Sequence, residues 1–162
     1  MQTYGFRGEA LSSISHIAKL SITTKTDNEL CGYKVSFVDR KPTEKPQKIA
    51  ANRGTQIVIE DLFYNNPIRK RTLKSPADEY SMITDLVTKY GVHNSNKVAI
   101  SLKKSGERIG DVTTFTGWKT LDSIKSLYGS NVAQELIPIE INDEKFKFSL
   151  IGYISNSNVS LK

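Results

Sequence analysis

The hydrophobic period of this chain changes abruptly at residues 18–20, and that change constrains the fold more than any other feature. Leu11, Ile14, Ile17 and Ala18 recur at helical spacing, with Ser12, Ser13 and His16 on other faces. Directly afterwards Leu20, Ile22 and Thr24 alternate with Ser21, Thr23 and Lys25, the period of two that a strand requires. A helix over residues 9–18 must therefore turn straight into a strand over 20–26. Tyr33, Val35 and Phe37 mark a second strand. Residues 56–62 mark a third, bracketed by Gly54 and by Asn65-Asn66-Pro67. Between them, residues 39–48 (DRKPTEKPQK) are polar, basic and twice interrupted by proline, which predicts a loop.

The second half continues in the same mixed manner. Ser75-Pro76 predicts a helix start, because Ser caps and Pro suits the first turn. Tyr80, Ile83, Val87 and Tyr90 make its apolar stripe, and Gly91 reads as its C-terminal stop. Residues 98–102 and 108–115 flank Ser105-Gly106, the signature of a hairpin. Thr120 is placed to cap a short helix over 121–128 that ends at Gly129. Two more strands, around 135–141 and 146–154, flank Asn142-Asp143. The order of elements predicts an α+β or mixed α/β layout with a boundary near residues 114–119. The last segment holds one short helix and is too small to bury a core alone, so it reads as the start of a second domain. The chain is accordingly expected to be cut at both ends.

The net charge of +6 and pI of about 9.3 suit a partner that carries phosphates, and they equally suit a solvated basic surface. One cysteine, Cys31, rules out a disulfide within the chain and fits a reducing, intracellular compartment. Two histidines and one cysteine argue against a Cys/His zinc site. No apolar run approaches the roughly 20 residues of a membrane span. The N-terminus lacks an apolar signal core, so the sequon Asn158-Val159-Ser160 reads as chance.

The stretch GFRGEALSSIS, residues 5–15, sits where the first helix begins. Gly5 and Gly8 allow a tight turn and a close ligand approach. The amides of the first helical turn lack internal partners, and the helix dipole favours an anion there. Arg7 is misplaced at a helix N-terminus unless an anion is near, and Glu9 or a bound phosphate would serve. A plain structural turn and a phosphate site both remain open on this evidence. Neither GxxxxGK[ST] nor GxGxxG occurs. Gly5-Phe6-Arg7-Gly8 also matches the GXXG of KH domains, but there it joins two helices, and only Met1 to Tyr4 precede it here.

Two further stretches carry binding chemistry. Asn52-Arg53-Gly54-Thr55 enters a strand, with Gly54 permitting close approach and Thr55 able to donate and accept; a simple turn fits as well. Arg69, Lys70, Arg71 and Lys74 could neutralise phosphates or form a solvated surface. No catalytic set stands out. Glu60 and Asp61 are adjacent at a strand end and are expected to face opposite sides. His16, His93 and Cys31 have no partner at a telling spacing and read as structural.

GFRGEAL followed by GTQIVIEDLFYNNPIRKR strongly resembles the MutL family of DNA mismatch-repair proteins. The flanking TYGFRGEALSSISHIAKLSITTKT and YGVHN, with IGYISN at 151–156, look most like the first of the eukaryotic MutL homologues. The resemblance covers essentially the whole chain and is loose over residues 39–52. It implies an α+β architecture in which residues 1–113 are the C-terminal portion of a Bergerat-type (GHKL) ATPase sandwich. Residues 114–162 would begin a ribosomal-protein-S5-like second domain. By the same resemblance, Arg7, Gly8, Glu9, Ala10 and Leu11 would hold the triphosphate of ATP, with Gly5 and Phe6 shaping the turn. Gly54 and Thr55 would lie on the adenine side.

The resemblance further implies ATP with Mg²⁺ as cofactor and a nuclear location. As partners it implies DNA, another MutL homologue in a heterodimer, and a MutS-type mismatch-recognition complex. The family's catalytic Glu-x-x-x-Asn helix and Asp-x-Gly-x-Gly adenine motif are absent before Met1-Gln2-Thr3-Tyr4. No catalytic residue and no metal ligand is therefore assigned, and the chain alone is expected not to hydrolyse ATP. The rival reading is a basic DNA-binding or interaction module that uses Arg69, Lys70, Arg71 and Lys74 without nucleotide.

Overall fold

The computed structural model describes Gly5 and residues 7–157. Phe6 and the sequon at 158–160 lie outside the described residues. The chain divides into two compact units, Met1–Leu73 and Lys74–Lys162. The boundary expected at residue 114 falls inside the second of them.

In the first unit, helix α1 (Glu9–Ile17) runs into strand β1 (Lys19–Lys25) through Ala18 alone, as the change of period demands. Strands β2 (Gly32–Val38) and β5 (Gly54–Glu60) flank β1, both antiparallel. Leu20 faces Phe37 on one side and Ile59 on the other; Ile22 faces Val35 and Ile57. Leu20 and Ala18 are buried where α1 covers the sheet. That placement follows from the two periods, since each puts its apolar set on a single face. A cleft of about 250 Å³ lies between Leu11, Ser12 and Ser15 of α1 and Leu20, Ile22 and Phe37 of the sheet. Helix α1 thus packs against β1 and β2, its residues Leu11, Ser12 and Ser15 lying over Leu20, Ile22 and Phe37.

Residues 39–48 are not a plain loop. They return along the outer edge of β2 as two short strands, β3 (Lys41–Pro42) and β4 (Gln47–Ile49). The proline rule survives in a weaker form, because Pro42 stands on an edge strand where its missing N–H breaks no inner ladder. A helix that periodicity does not reveal, α2 (Pro67–Thr72), follows β5. Asn66 caps it, its side chain accepting from the Arg69 amide at 3.1 Å, and Pro67 opens its first turn.

In the second unit, helix α3 (Pro76–His93) starts at the expected cap, with the Ser75 hydroxyl accepting from the Asp78 amide at 3.2 Å. It does not stop at Gly91. That glycine is buried inside the helix, and a Cβ there would lie 3.3 Å from both Leu127 Cδ1 and Thr114 Cγ2. Gly91 is a packing contact; the helix ends two residues on, at His93, with Asn94 as its C-cap.

The expected hairpin shrinks to β6 (Ser101–Leu102) and β7 (Val112–Thr113), while Gly106 turns at φ +85°. Helix α4 (Thr120–Tyr128) begins one residue earlier than expected: Thr120 is its first residue, and Asp122 accepts from the amide of the capping Lys119 at 3.0 Å. After Gly129, a short helix α5 (Ser130–Gln134) appears that the sequence pattern does not announce. Strands β8 (Leu136–Asp143) and β9 (Phe148–Ser155) form a long hairpin. Its turn lies at 144–147, since Asn142 and Asp143 are themselves paired with Ser149 and Phe148. The core of this unit is Val112, Thr114, Ser123, Ile124 and Ala133 around buried Gly91.

Candidate functional site

The N-terminus of α1 is built for access. Gly8 occupies the cap position in the left-handed region, φ 68° and ψ 10°, and makes no side-chain cap bond, having no side chain to do so. Among the described residues nothing lies within 4 Å of where a Cβ would stand at Gly5 or Gly8. Arg7 and Glu9 form an ion pair at 3.7 Å with both side chains mostly exposed, 68% and 71%. Glu9 therefore answers the misplaced charge of Arg7 within the chain itself, through an exposed contact that contributes little stability. Ala10 and Leu11 complete the first turn, and Leu11 also lines the cleft against the sheet.

The other end of α1 is tied down at every carbonyl. Ile14 O accepts from Ala18 N at 2.9 Å and Ser15 O from Arg40 N at 3.0 Å. His16 O accepts from the Asn65 side-chain amide, and Ile17 O from Phe63 N, each at 2.7 Å. All four carbonyls that a helix normally leaves unpaired are thus satisfied, three of them by two loops distant in sequence. Those loops hold non-glycine residues in the left-handed region: Asp39 (φ 48°), Arg40 (φ 65°), Asp61 (φ 53°) and Phe63 (φ 61°). The Asp39 carboxylate accepts from the Tyr64 phenol and, at 3.4 Å, from Asn65. That bond to Asp39 holds the Tyr64 phenol protonated above its usual range.

Gly54 and Thr55 open β5, paired with Lys25 and Thr24 of β1. Gly54 has φ +118°, a conformation that other residues rarely adopt. The Thr55 and Thr24 hydroxyls hydrogen-bond to each other across the strand pair at 2.9 Å, and Thr24 donates to Gly54 O at 3.3 Å. Residues 49–56 with Thr23 line a further cleft of about 510 Å³. Arg53 at its rim pairs with Asp27 at 3.0 Å.

The basic stretch is split. Arg69, Lys70 and Arg71 lie exposed on α2, with the Arg69 guanidinium 5.9 Å from the centre of the Phe63 ring. Lys74 opens the second unit and does not belong to that helix. Asp61 has left the strand and pairs with Lys19 at 2.6 Å. The hydrogen bond and charge of Lys19 hold the Asp61 carboxyl below its usual range, and the same bond raises Lys19. Among the described residues no three His, Cys, Asp or Glu side chains come together as metal ligands, and no helix is long and apolar enough to cross a membrane.

Motif reading found the two glycine turns but missed Asn65, Asp39 and Tyr64. The one local signal at Asn65 is the turn chemistry of Asn65-Asn66-Pro67, a few residues beyond the apolar strand β5.

No family model matches the chain. It is 42% identical over 142 residues to DNA mismatch repair protein MLH1 of Saccharomyces cerevisiae, which covers 88% of this chain and 18% of that protein. It is 43% identical over 171 residues to Mlh1 of Dictyostelium discoideum, covering 98% and 19%. MutL of Clostridium botulinum is 31% identical over 160 residues, covering 99% and 23%. The chain therefore spans about a fifth of the length of these relatives. Among solved structures, the N-terminal domain of a DNA repair protein superposes with a TM-score of 0.80 at 24% identity, covering 95% of this chain and 49% of that one. The Aquifex aeolicus MutL ATPase domain complexed with ADP superposes with a TM-score of 0.69 at 20% identity, covering 82% and 52%. At these identities the superpositions establish the fold, a mixed helix and sheet arrangement like that of the MutL ATPase domains.

Proposed function

The chain is a homologue of the MutL family of DNA mismatch-repair proteins over nearly its whole length, and from that premise we propose that its first unit forms part of an ATP site. The observation that carries the reading is the left-handed Gly8 cap of α1, which makes no side-chain cap bond to the first-turn amides. The amides of Gly8, Glu9, Ala10 and Leu11 then hold phosphate oxygens, since uncapped first-turn amides and the helix dipole both favour an anion. Arg7 adds a cation, exchanging Glu9 for phosphate, and Gly5 shapes the approach. Gly54 and Thr55 flank the base, Thr55 being oriented by its bond to Thr24. The ADP carried by the superposed Aquifex domain agrees with a nucleotide here.

The chain contains no Glu-x-x-x-Asn and no Asp-x-Gly-x-Gly. The 162 residues alone therefore bind phosphate without turning ATP over. Mg²⁺ would accompany the nucleotide, but the described residues offer no cluster to hold it, and no step is derived through it. In the wider protein, nucleotide would order the site and gate pairing with a second MutL homologue, contact with DNA and with a MutS-type complex, in the nucleus. Residues 114–162 would begin its S5-like domain.

The test is ADP titration with hydrogen exchange read residue by residue on the full-length gene product. Slowed exchange at Gly8, Glu9, Ala10 and Leu11 is expected; unchanged exchange there with ADP bound would overturn the assignment. A second reading, a DNA contact through Arg69, Lys70 and Arg71, has the exposed face of α2 in its favour. It predicts DNA affinity that falls steeply with salt and a shallower salt slope when these residues become Ala.

A further inference from the structure

We propose that Asn65, oriented by Asp39 and Tyr64, is a positioning residue that fixes the phosphate end of α1 by clamping its opposite end; this rests on the ATP reading above. The two ends of the helix are finished in contrasting ways. The N-terminus has a glycine cap with no side-chain bond, while Ile14, Ser15, His16 and Ile17 all have their carbonyls engaged. A side-chain cap would satisfy a first-turn amide at the N-terminus, and Gly8 supplies none. Such asymmetry is what a helix needs if its free end must meet a ligand while staying still.

The geometry makes the clamp effective. A helix of nine residues is about 13 Å long, so a tilt of about 5° at one end displaces the other by roughly 1 Å. An error of that size is enough to spoil a multidentate anion site. Asn65 is the single side chain among the donors at the clamped end; the others are backbone amides of Ala18, Arg40 and Phe63. Asp39 accepts from both Tyr64 and Asn65, and so sets the amide plane of Asn65 toward His16. The left-handed backbones at Asp39, Arg40 and Phe63 bring their amides and side chains to the helix end, at a conformational cost that ordinary loops avoid. The bonds of Asn65, Asp39 and Tyr64 are to one another and to His16 near the C-terminus of α1, so their effect on the phosphate end is indirect.

The experiment compares ADP with adenosine on the full-length gene product, because adenosine lacks the phosphates that α1 would hold. Asn65→Ala is expected to weaken ADP about 10-fold while leaving adenosine unchanged, with faster hydrogen exchange along α1 in the absence of ligand. Tyr64→Phe, which removes only the phenol bond to Asp39, is expected to weaken ADP about 3-fold by the same signature, and it decides the matter if Asn65→Ala does not fold. An unchanged ratio of ADP to adenosine affinity in both variants overturns the clamp while leaving the ATP reading intact. If the unmodified protein binds adenosine as tightly as ADP, the ATP reading itself fails and the clamp with it. A loss of both ligands in equal proportion marks Asn65 as a general stabiliser and also overturns the proposal.

Discussion

The side-chain amide of Asn65 donates to the backbone carbonyl of His16 at 2.7 Å, joining positions 49 residues apart. That bond makes the turn after β5 part of the helix that begins the described fold. Through it, α1 is tied to residues that no local pattern connects to it.

Gly8→Ala should destabilise the chain by about 1 kcal/mol. The site has room for a methyl group, with nothing among the described residues within 4 Å, so the loss is conformational and comes from holding φ at 68°. Denaturant unfolding measures it, and an unchanged midpoint would show that the cap relaxes to another geometry.

The Lys19–Asp61 pair predicts a pH dependence with a definite sign. The Asp61 pKa is held below its ordinary value of 3.8, first by the hydrogen bond from Lys19 and then by its charge. The stabilisation is present above that value and is lost as pH falls through the depressed one. The Lys19 pKa is raised above 10.5 by the same bond, so at high pH the pair is lost as pH rises through that raised value. Asp61→Asn should flatten the acid limb of stability against pH below about 4 relative to the unmodified chain.

Gly91→Ala should destabilise the second unit by about 1 kcal/mol, although Ala is the better helix former. The added Cβ meets Thr114 Cγ2 and Leu127 Cδ1 at 3.3 Å, and Thr114 is almost fully buried. Overpacking of this kind costs about 1–3 kcal/mol, against a gain in helix propensity of about 1. Thermal unfolding would show the sign, and a raised midpoint would mean that α4 yields.

Tyr80 donates to Asp111 at 2.5 Å and its pKa is pushed up to about 12, first by that hydrogen bond and then by burial. Its contribution is present below the ordinary tyrosine value near 10 and is lost as pH rises through the raised one. In an ultraviolet difference titration, Asp111→Asn should move one tyrosine back toward 10.

Local pattern revealed much of the architecture and some of the candidate site. The helix over α1, the three main strands of the first unit and the cap at Ser75 follow from period and capping chemistry that operate within a few residues. Helix α2 was not legible because its six residues carry no apolar stripe, and α5 is shorter still. Gly91 misled for a related reason: glycine marks both a helix end and a place where another element comes close, and only the approach of Thr114 and Leu127 tells them apart. The turn of the last hairpin was misplaced because Asn142-Asp143 has turn chemistry, yet both residues pair within the ladder.

The sequence by itself determined the order of elements, the glycine turn before α1 and the motif pair that ties the chain to the MutL family, because each is written in neighbouring residues. Only the tertiary structure decided what holds α1. Its four closing carbonyls are met by Ala18, Arg40, Phe63 and Asn65, and three of those partners arrive from loops whose positions depend on the strand pairing of the whole sheet. A hydrogen bond across 49 positions has no local signature, since its energy appears only once the intervening strands have set the distance.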